Sequence, residues 1–433
     1  MFDQEALSCD AGLLAVHEHE KRSGLLDKLA GAISEKRESP RHTLGGLLKQ
    51  RVYQIISGNP DANDSDRQRH DPTLQLISTG KDAELASQPT MTRLENSVTL
   101  KELIRLSYVI GDAFLDSFKK APRLIIIDMD PTAHLVYGQQ QLGLFNTHIG
   151  DTCLMPFHVY DGITGRVITT VIREGRTPGA PEILRLLKRI VSRIRKRYPK
   201  TRLLFRADSH HTKPEVMDYL NAGRIDFISG LGPNSVLEKV FAGVIEKARK
   251  THELEKQNDP FSQRERHVHA SAQYQAQSWS RPQRVVCRII FGPNGFDVRY
   301  VVTSYEHLGA KFLYTVVYCG RGNAERHIKE HKLGLQSDRS PCYSALANQF
   351  RLLLHSAAYT LLHGFRESVL AGTELAAGSF EQIRIKLLKV CARVERMKTR
   401  IRFHLPVNFG YKQILARLAR GQTGEVETQA GAG

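Results

Sequence analysis

Asp130, Asp208 and Glu325 lie far apart in the chain, and their settings point to one kind of chemistry. Asp130 closes the apolar run Leu124-Ile125-Ile126-Ile127, with Asp128 two residues before it, and Asp208 closes Leu203-Leu204-Phe205. Such runs read as buried strands, which end where a carboxylate reaches solvent. Glu325 lies in Tyr318-Cys-Gly-Arg321-Gly-Asn-Ala-Glu325, and Lys332 follows it. Two strand-end carboxylates and a helical glutamate suit two divalent ions roughly 3.5–4 Å apart, which stabilise the attacking and leaving oxygens of a phosphodiester without a histidine base. Hard Mg²⁺ prefers carboxylate oxygens and keeps several waters, so three carboxylates suffice, with Mn²⁺ as the expected substitute.

Asp128 and Asp130 share one face of their strand, because strand side chains alternate. Asp130 is the better ligand, since Pro131-Thr132 follows and ends the strand there. Asp128 is then a supporting group or a polar strand terminus, and Arg206 and His210, on either side of Asp208, are further candidates for support. On a helix turning about 100° per residue, Glu325 lies about 40° and Lys332 about 20° from Arg321. An acid flanked by two cations on one stripe suits a metal ligand between phosphate clamps. Salt bridging on an exposed helix is the plain alternative.

The elements that must carry these residues follow from periodicity. Strands are expected at 123–130, 152–160 and 166–173, an amphipathic helix at 180–197, a strand at 201–208, a short helix at 213–222 and a strand at 226–231. This β-β-β-α-β-α-β order matches a mixed sheet of ribonuclease-H-like type, occupying residues 119–236. Residues 237–310 interrupt it as a β-rich insertion with alternating runs at 266–277, 284–291 and 296–303, the last two joined by a turn through Asn294-Gly295. The catalytic core resumes over 311–420, with helices expected at 323–333, 343–366 and 380–400, the last dense in Arg and Lys. Residues 1–118 read as a helical, polar domain, and the Gly- and Glu-rich tail 421–433 as disordered.

Charge narrows the partners. The 433 residues carry 62 Lys and Arg against 45 Asp and Glu, a net charge of +17. Excess of this size favours polyanions. A turn and Pro89 before a helix start, within Glu84–Glu95, resemble the recognition part of a helix-turn-helix and make Arg93 a DNA-contact candidate; an ordinary helix cap fits the same string. Six cysteines with no C-x-x-C pair fit reduced thiols of a cytosolic protein rather than a zinc site or disulfide framework. No stretch approaches the roughly 20 apolar residues of a membrane helix, and the acidic N-terminus lacks the pattern of a signal peptide.

Asp130-Pro-Thr132, Arg206-Ala-Asp-Ser209 and the Tyr318, Arg321, Glu325, Lys332 series resemble the DDE transposases of bacterial insertion sequences that carry a Tyr-Arg-Glu-Lys signature. Gly138-Gln-Gln140, Ala86-Ser-Gln-Pro-Thr90, Arg93-Leu-Glu-Asn96 and Ala347-Asn-Gln-Phe-Arg-Leu352 are similar to the insertion-sequence-1380 family. The resemblance runs from about residue 24 to 407. It implies cut-and-paste transposition by a bacterial, nucleoid-associated enzyme that acts on double-stranded DNA, at terminal inverted repeats and a target, as a homodimer in a synaptic complex. Asp130, Asp208 and Glu325 would hold two Mg²⁺ ions, and Tyr318, Arg321 and Lys332 would grip the phosphate at the transposon end. Trp279 would stack on a base extruded near the cleavage site; burial in a β core is its other reading. The chain departs from the family pattern at Ala133-His134, at His210-His211 and at Arg326. Two other classes stay open: a catalytically impaired DNA-binding protein of the same descent, and a metal-dependent DNA nuclease with the same core.

Overall fold

The computed structural model describes residues 6–80 and 83–419, so the tail expected to be disordered lies outside the described residues. Its helical N-terminal part includes α1 (Leu44–Ser57), α2 (Gln88–Ser97) and α3 (Leu100–Asp116). Thr99 and Glu102 form a capping box that starts α3, each satisfying a backbone N–H of the other's end.

Eight strands form one mixed sheet. In chain order they are β1 (Leu124–Pro131), β2 (Phe157–Asp161), β3 (Val167–Val171), β4 (Arg202–Ala207), β5 (Asp226–Leu231), β6 (Arg266–Tyr274), β7 (Gln283–Gly292) and β8 (Gly295–Thr303). Helix α4 (Ala180–Arg197) connects β3 to β4, α5 (Pro214–Ala222) connects β4 to β5, and α6 (Ala242–Asn258) precedes β6. The spatial order is β6-β7-β8-β5-β4-β1-β2-β3. β1, β4 and β5 run parallel; on β1's other side β2 pairs antiparallel with β1, and β3 pairs antiparallel with β2. The mixed α/β class expected from the sequence holds.

Two local outcomes differ from expectation. The strand expected at 152–160 is broken at Met155-Pro156: Asp151–Leu154 belongs to a small separate sheet, and β2 begins at Phe157. Proline cannot donate to a ladder, so a break there is a natural consequence. The β-rich segment lies between β5 and the helix that carries Glu325, and it continues the main sheet through the antiparallel pairing of β8 with β5. The expected basic helix 380–400 is replaced by a short helical stretch, Phe380–Leu388, and a hairpin of β9 (Ala392–Arg396) and β10 (Ile401–His404). Ala392 and Val394 alternate inward while Arg393 points out, and β9 pairs with Leu7–Ser8 at the other end of the chain. A partner that distant overrides the local helical preference.

The two faces of the sheet have different covers. Ile125, Ile127 and Met129 of β1 pack in one core with Ile183, Leu187, Ile190 and Ile194 of α4 and with α5 and α6. Leu124 and Ile126 face the other way, against Leu313, Tyr314 and Tyr318. That second face also carries α7 (Gly322–Lys329) and α8 (Ala345–Ser368). Helix α8 is buried on almost every side, and it contacts α1, α2, α3 and β3. A helix so enclosed ties the N-terminal helices to the sheet. No helix among the described residues is long and apolar enough to cross a membrane.

Candidate active site

The parallel pairing of β1 with β4 aligns Asp128 with Arg206 and Met129 with Ala207, so Asp130 and Asp208 emerge at the same end of adjacent strands. Glu325 comes from α7, which packs on β1 and β2. Arg321 joins the elements: its Nη1 donates to Asp130 Oδ2 at 3.0 Å and its Nη2 to Glu325 Oε1 at 3.1 Å. Tyr318 is half-buried beside Arg321 and Gly230, the latter at the end of β5. Lys332 lies in a wide helical turn after α7, and its Nζ donates to Ala133 O at 2.7 Å, three residues beyond Asp130. The stripe read from the sequence thus faces the end of β1.

The electrostatics are those of crowded acids. Burial, then the negative charges of Asp208 and Glu325, push the Asp130 carboxyl up to about 7 against the pull of Arg321. Burial also works upward on Asp208, yet hydrogen bonds and charge from His211 and His210 hold it well below the usual carboxylate range. His211 Nδ1 is 2.7 Å and His210 Nδ1 3.1 Å from the Asp208 carboxylate, and the His210 N–H donates to it at 3.0 Å. His210 is exposed, whereas His211 is buried against Phe157 and Phe205. The sequence draws attention to His210; the residue that fixes the Asp208 carboxylate from the interior is His211. Its signal is only that it stands three residues after an acid, a spacing that closes a turn.

Asp128 is not exposed to the site. Its carboxylate makes a bidentate pair with Arg206, both contacts at 2.6 Å, and burial pushes it up to about 6 although Arg206 pulls the other way. Arg206 also donates to Val317 O at 2.9 Å and Gly320 O at 3.2 Å. One guanidinium therefore links β1, β4 and the segment leading into α7. Gly320 permits this approach, because a Cβ there would lie 2.5 Å from Arg206 Nη1.

The donor chemistry fits a hard divalent cation: Asp130 and Asp208 emerge at one strand end, and Glu325 is tied to Asp130 through Arg321. In this arrangement Arg321 spans Asp130 and Glu325, and among the described residues no group of three His, Cys, Asp or Glu is drawn tight enough to form a ready-made metal cage.

Trp279 is not part of this group. It is 8% exposed, packed edge-on against Tyr274 at 5.2 Å between ring centres, so its indole would have to leave the core to stack on a base. Arg93 is exposed on α2, within 3.4 Å of Thr90, and no described contact links it to the acids. Its neighbour Glu95 is buried and bound to Arg51 at 3.0 Å and Arg351 at 2.9 Å. The Arg93-Leu-Glu-Asn96 and Ala347–Leu352 strings thus meet in a structural ion cluster. A cleft of about 770 Å³ lies beside it, lined by Asn96, Tyr137, Arg339, Tyr343 and Lys332.

Beneath the site, His134, His158, His331 and His355 are all fully buried. Burial holds His158 and His355 down to about 3 and His134 and His331 well below the ordinary imidazole value. The folded state keeps these rings neutral while the unfolded chain protonates them near pH 6.5. Their contribution is complete above that pH and is lost as pH falls from about 6.5 toward 3. Asp128 and Asp130, raised to about 6 and 7, take protons in the folded state and offset two of the four. His17, His19 and His327 are also held down to about 4 by burial, so the neutral rings outnumber these two carboxyls and stability should fall as pH drops from 6 to 5. Urea midpoints measured at both values check this; equal midpoints would contradict it.

A family model described as transposase DDE domain group 1 matches residues 1–422. No curated protein matches the chain. Among solved structures, the chain is similar to a piggyBac transposase in a cryo-EM synaptic complex with hairpin DNA. The two are 11% identical, with a TM-score of 0.45, over 96% of this chain and 86% of that one.

Proposed function

We propose, because this chain belongs to the transposase DDE domain family of group 1, that it carries out cut-and-paste transposition of an insertion sequence by cleaving and joining DNA at terminal inverted repeats. The observation that carries the reading is the convergence of Asp130, Asp208 and Glu325 at one strand end, with Arg321 between two of them. The strand order β3-β2-β1-β4-β5 supports a ribonuclease-H-like core. The insertion-sequence-1380 relationship and the Tyr-Arg-Glu-Lys assignment rest on the motifs themselves.

In this reading Asp130, Asp208 and Glu325 hold two Mg²⁺ ions, replaceable by Mn²⁺. When bound, such ions stabilise charge on the attacking and leaving oxygens of the phosphodiester. The chain's own residues do the rest. Arg321 turns its fork from the carboxylates toward the scissile phosphate, where a planar guanidinium binds two oxygens at once. Lys332 and Tyr318 bracket the same phosphate from either end of the stripe. His211 keeps the Asp208 carboxylate in one orientation throughout. Hydrolysis joins a water oxygen to phosphorus and releases a 3′-hydroxyl. That hydroxyl then attacks a target phosphodiester, and a target 3′-hydroxyl leaves. Two active sites on two DNA ends call for a homodimer in the synaptic complex.

Incubation with labelled terminal-repeat DNA and Mg²⁺ tests the proposal. Excised and joined products are the expected result. Cleavage without joining would identify a nuclease, and binding without cleavage an impaired DNA-binding protein; either would overturn it.

A further inference from the structure

The acid-free tract richest in Lys and Arg among the described residues is not at the catalytic end. Between Glu182 and Asp208 the chain has no acidic residue, and α4 carries Arg185, Lys188, Arg189, Arg193, Arg195, Lys196 and Arg197. At about 100° per residue, Ile183, Leu187, Ile190 and Ile194 fall on one side of α4, and Arg185, Lys188, Arg189 and Lys196 within about 100° on the opposite side. The apolar side is buried on the sheet, and those four cations are exposed.

Pairing separates this row from its neighbours. Arg193 and Arg197 lean toward α3, where Asp112 and Asp116 take them, and Arg195 donates to Pro199 O and Thr201 O. Lys188 lies 5.5 Å over the Tyr219 ring. Arg185, Arg189 and Lys196 have no carboxylate partner recorded among the described residues. A solvated face needs no such excess of one sign: exposed helices gain from mixed i,i+4 pairs, and like charges at that spacing repel by a few tenths of a kcal/mol. A row that accepts this repulsion matches a partner carrying a row of negative charge.

We infer that the exposed face of α4 binds the phosphate backbone of a second stretch of duplex DNA, separate from the one held at the carboxylates. This rests on the proposed function for the identity of the polyanion. The separation follows from the sheet. Ile125, Ile127 and Met129 point toward α4, so Asp128 and Asp130, of opposite parity, point away from it. The basic face is therefore one sheet and one helix, itself about 10 Å thick, removed from the acids. Arg185 and Lys196 are about 17 Å apart along the axis at 1.5 Å per residue. That exceeds the ~12 Å width of a major groove, so the row reaches phosphates on both of its walls.

The test uses the full chain, a 30-base-pair duplex of arbitrary sequence and no divalent metal, with affinity read by fluorescence anisotropy across a salt series. Each phosphate contact contributes about 0.9 to the slope of log K against log salt. Arg185→Gln/Arg189→Gln/Lys196→Gln should lower the slope by about 2–3, while Lys247→Gln/Arg249→Gln/Lys256→Gln on α6 should change it by less than about 1. An unchanged slope in the α4 variant, or an equal fall in both variants, would overturn the inference and leave the proposed function standing. A wild-type chain that binds no duplex at all would overturn both.

Discussion

Replacing Glu325 with glutamine should reduce DNA cleavage by about 10³-fold or more, equivalent to a barrier higher by roughly 4 kcal/mol. The same change should leave folding and DNA binding nearly intact. The structure explains why the two effects separate. The Glu325 side chain is 62% exposed, and its ion pair with Arg321 is an i,i+4 contact on a helix surface. Pairs of that kind contribute under about 1 kcal/mol, so the fold loses little when the charge is removed. In the proposed chemistry, however, glutamine offers a neutral oxygen where a carboxylate ligand is required, and no other acid on α7 faces that strand end. Single-turnover cleavage rates and melting temperatures, measured on the same preparation, check the expectation. Cleavage at the wild-type rate would refute the site assignment, and a large fall in melting temperature would show that Glu325 is a structural residue.

Glu95→Ala should have the opposite profile: a loss of about 3–5 kcal/mol of stability. Glu95 is the shared counter-charge of Arg51 and Arg351, all three at most 3% exposed in their side chains. Arg351 also binds Asp61 at 2.9 Å and Pro60 O at 3.2 Å, and Asp61 binds Arg339. The cluster therefore spans α1, α2 and α8 and fastens the N-terminal helices to the element that runs behind the sheet. Removing its acid leaves Arg51 buried without a carboxylate and Arg351 with Asp61 alone, and a buried, uncompensated charge is costly. Denaturant midpoints compared between wild type and variant measure the effect. A change below about 1 kcal/mol would mean that the pairs are not desolvated as described.

What the sequence makes legible divides along physical lines. Helix α4 is readable to its ends, because Gly179-Ala-Pro opens it and five apolar residues keep helical spacing through to Ile194. β1 and β4 are readable because parallel, doubly covered strands are continuous apolar runs. Arg321, Glu325 and Lys332 are readable as a set since helical geometry places them on one stripe before any contact is known. Local pattern does not reach interactions that depend on distant partners. Glu95 and Arg351 are 256 residues apart, and in sequence they look like family motif positions rather than a buried ion cluster. The β9–β10 hairpin, dense in Arg and Lys, carries a helical composition but pairs with Leu7–Ser8 at the opposite end of the chain. Trp279 and His211 follow the same rule: their burial against Tyr274 and against Phe157 and Phe205 comes from tertiary packing.

In the proposed chemistry Asp130, Asp208 and Glu325 act together as one cation site, and Arg321 gives way to form it. Diffraction from crystals grown with Mn²⁺, with data collected at the manganese absorption edge, tests this most directly. Anomalous peaks are expected within about 2–2.5 Å of carboxylate oxygens from all three residues, with Arg321 no longer bridging Asp130 and Glu325. Peaks elsewhere, or no peak with both Arg321 ion pairs intact at saturating Mn²⁺, would contradict it.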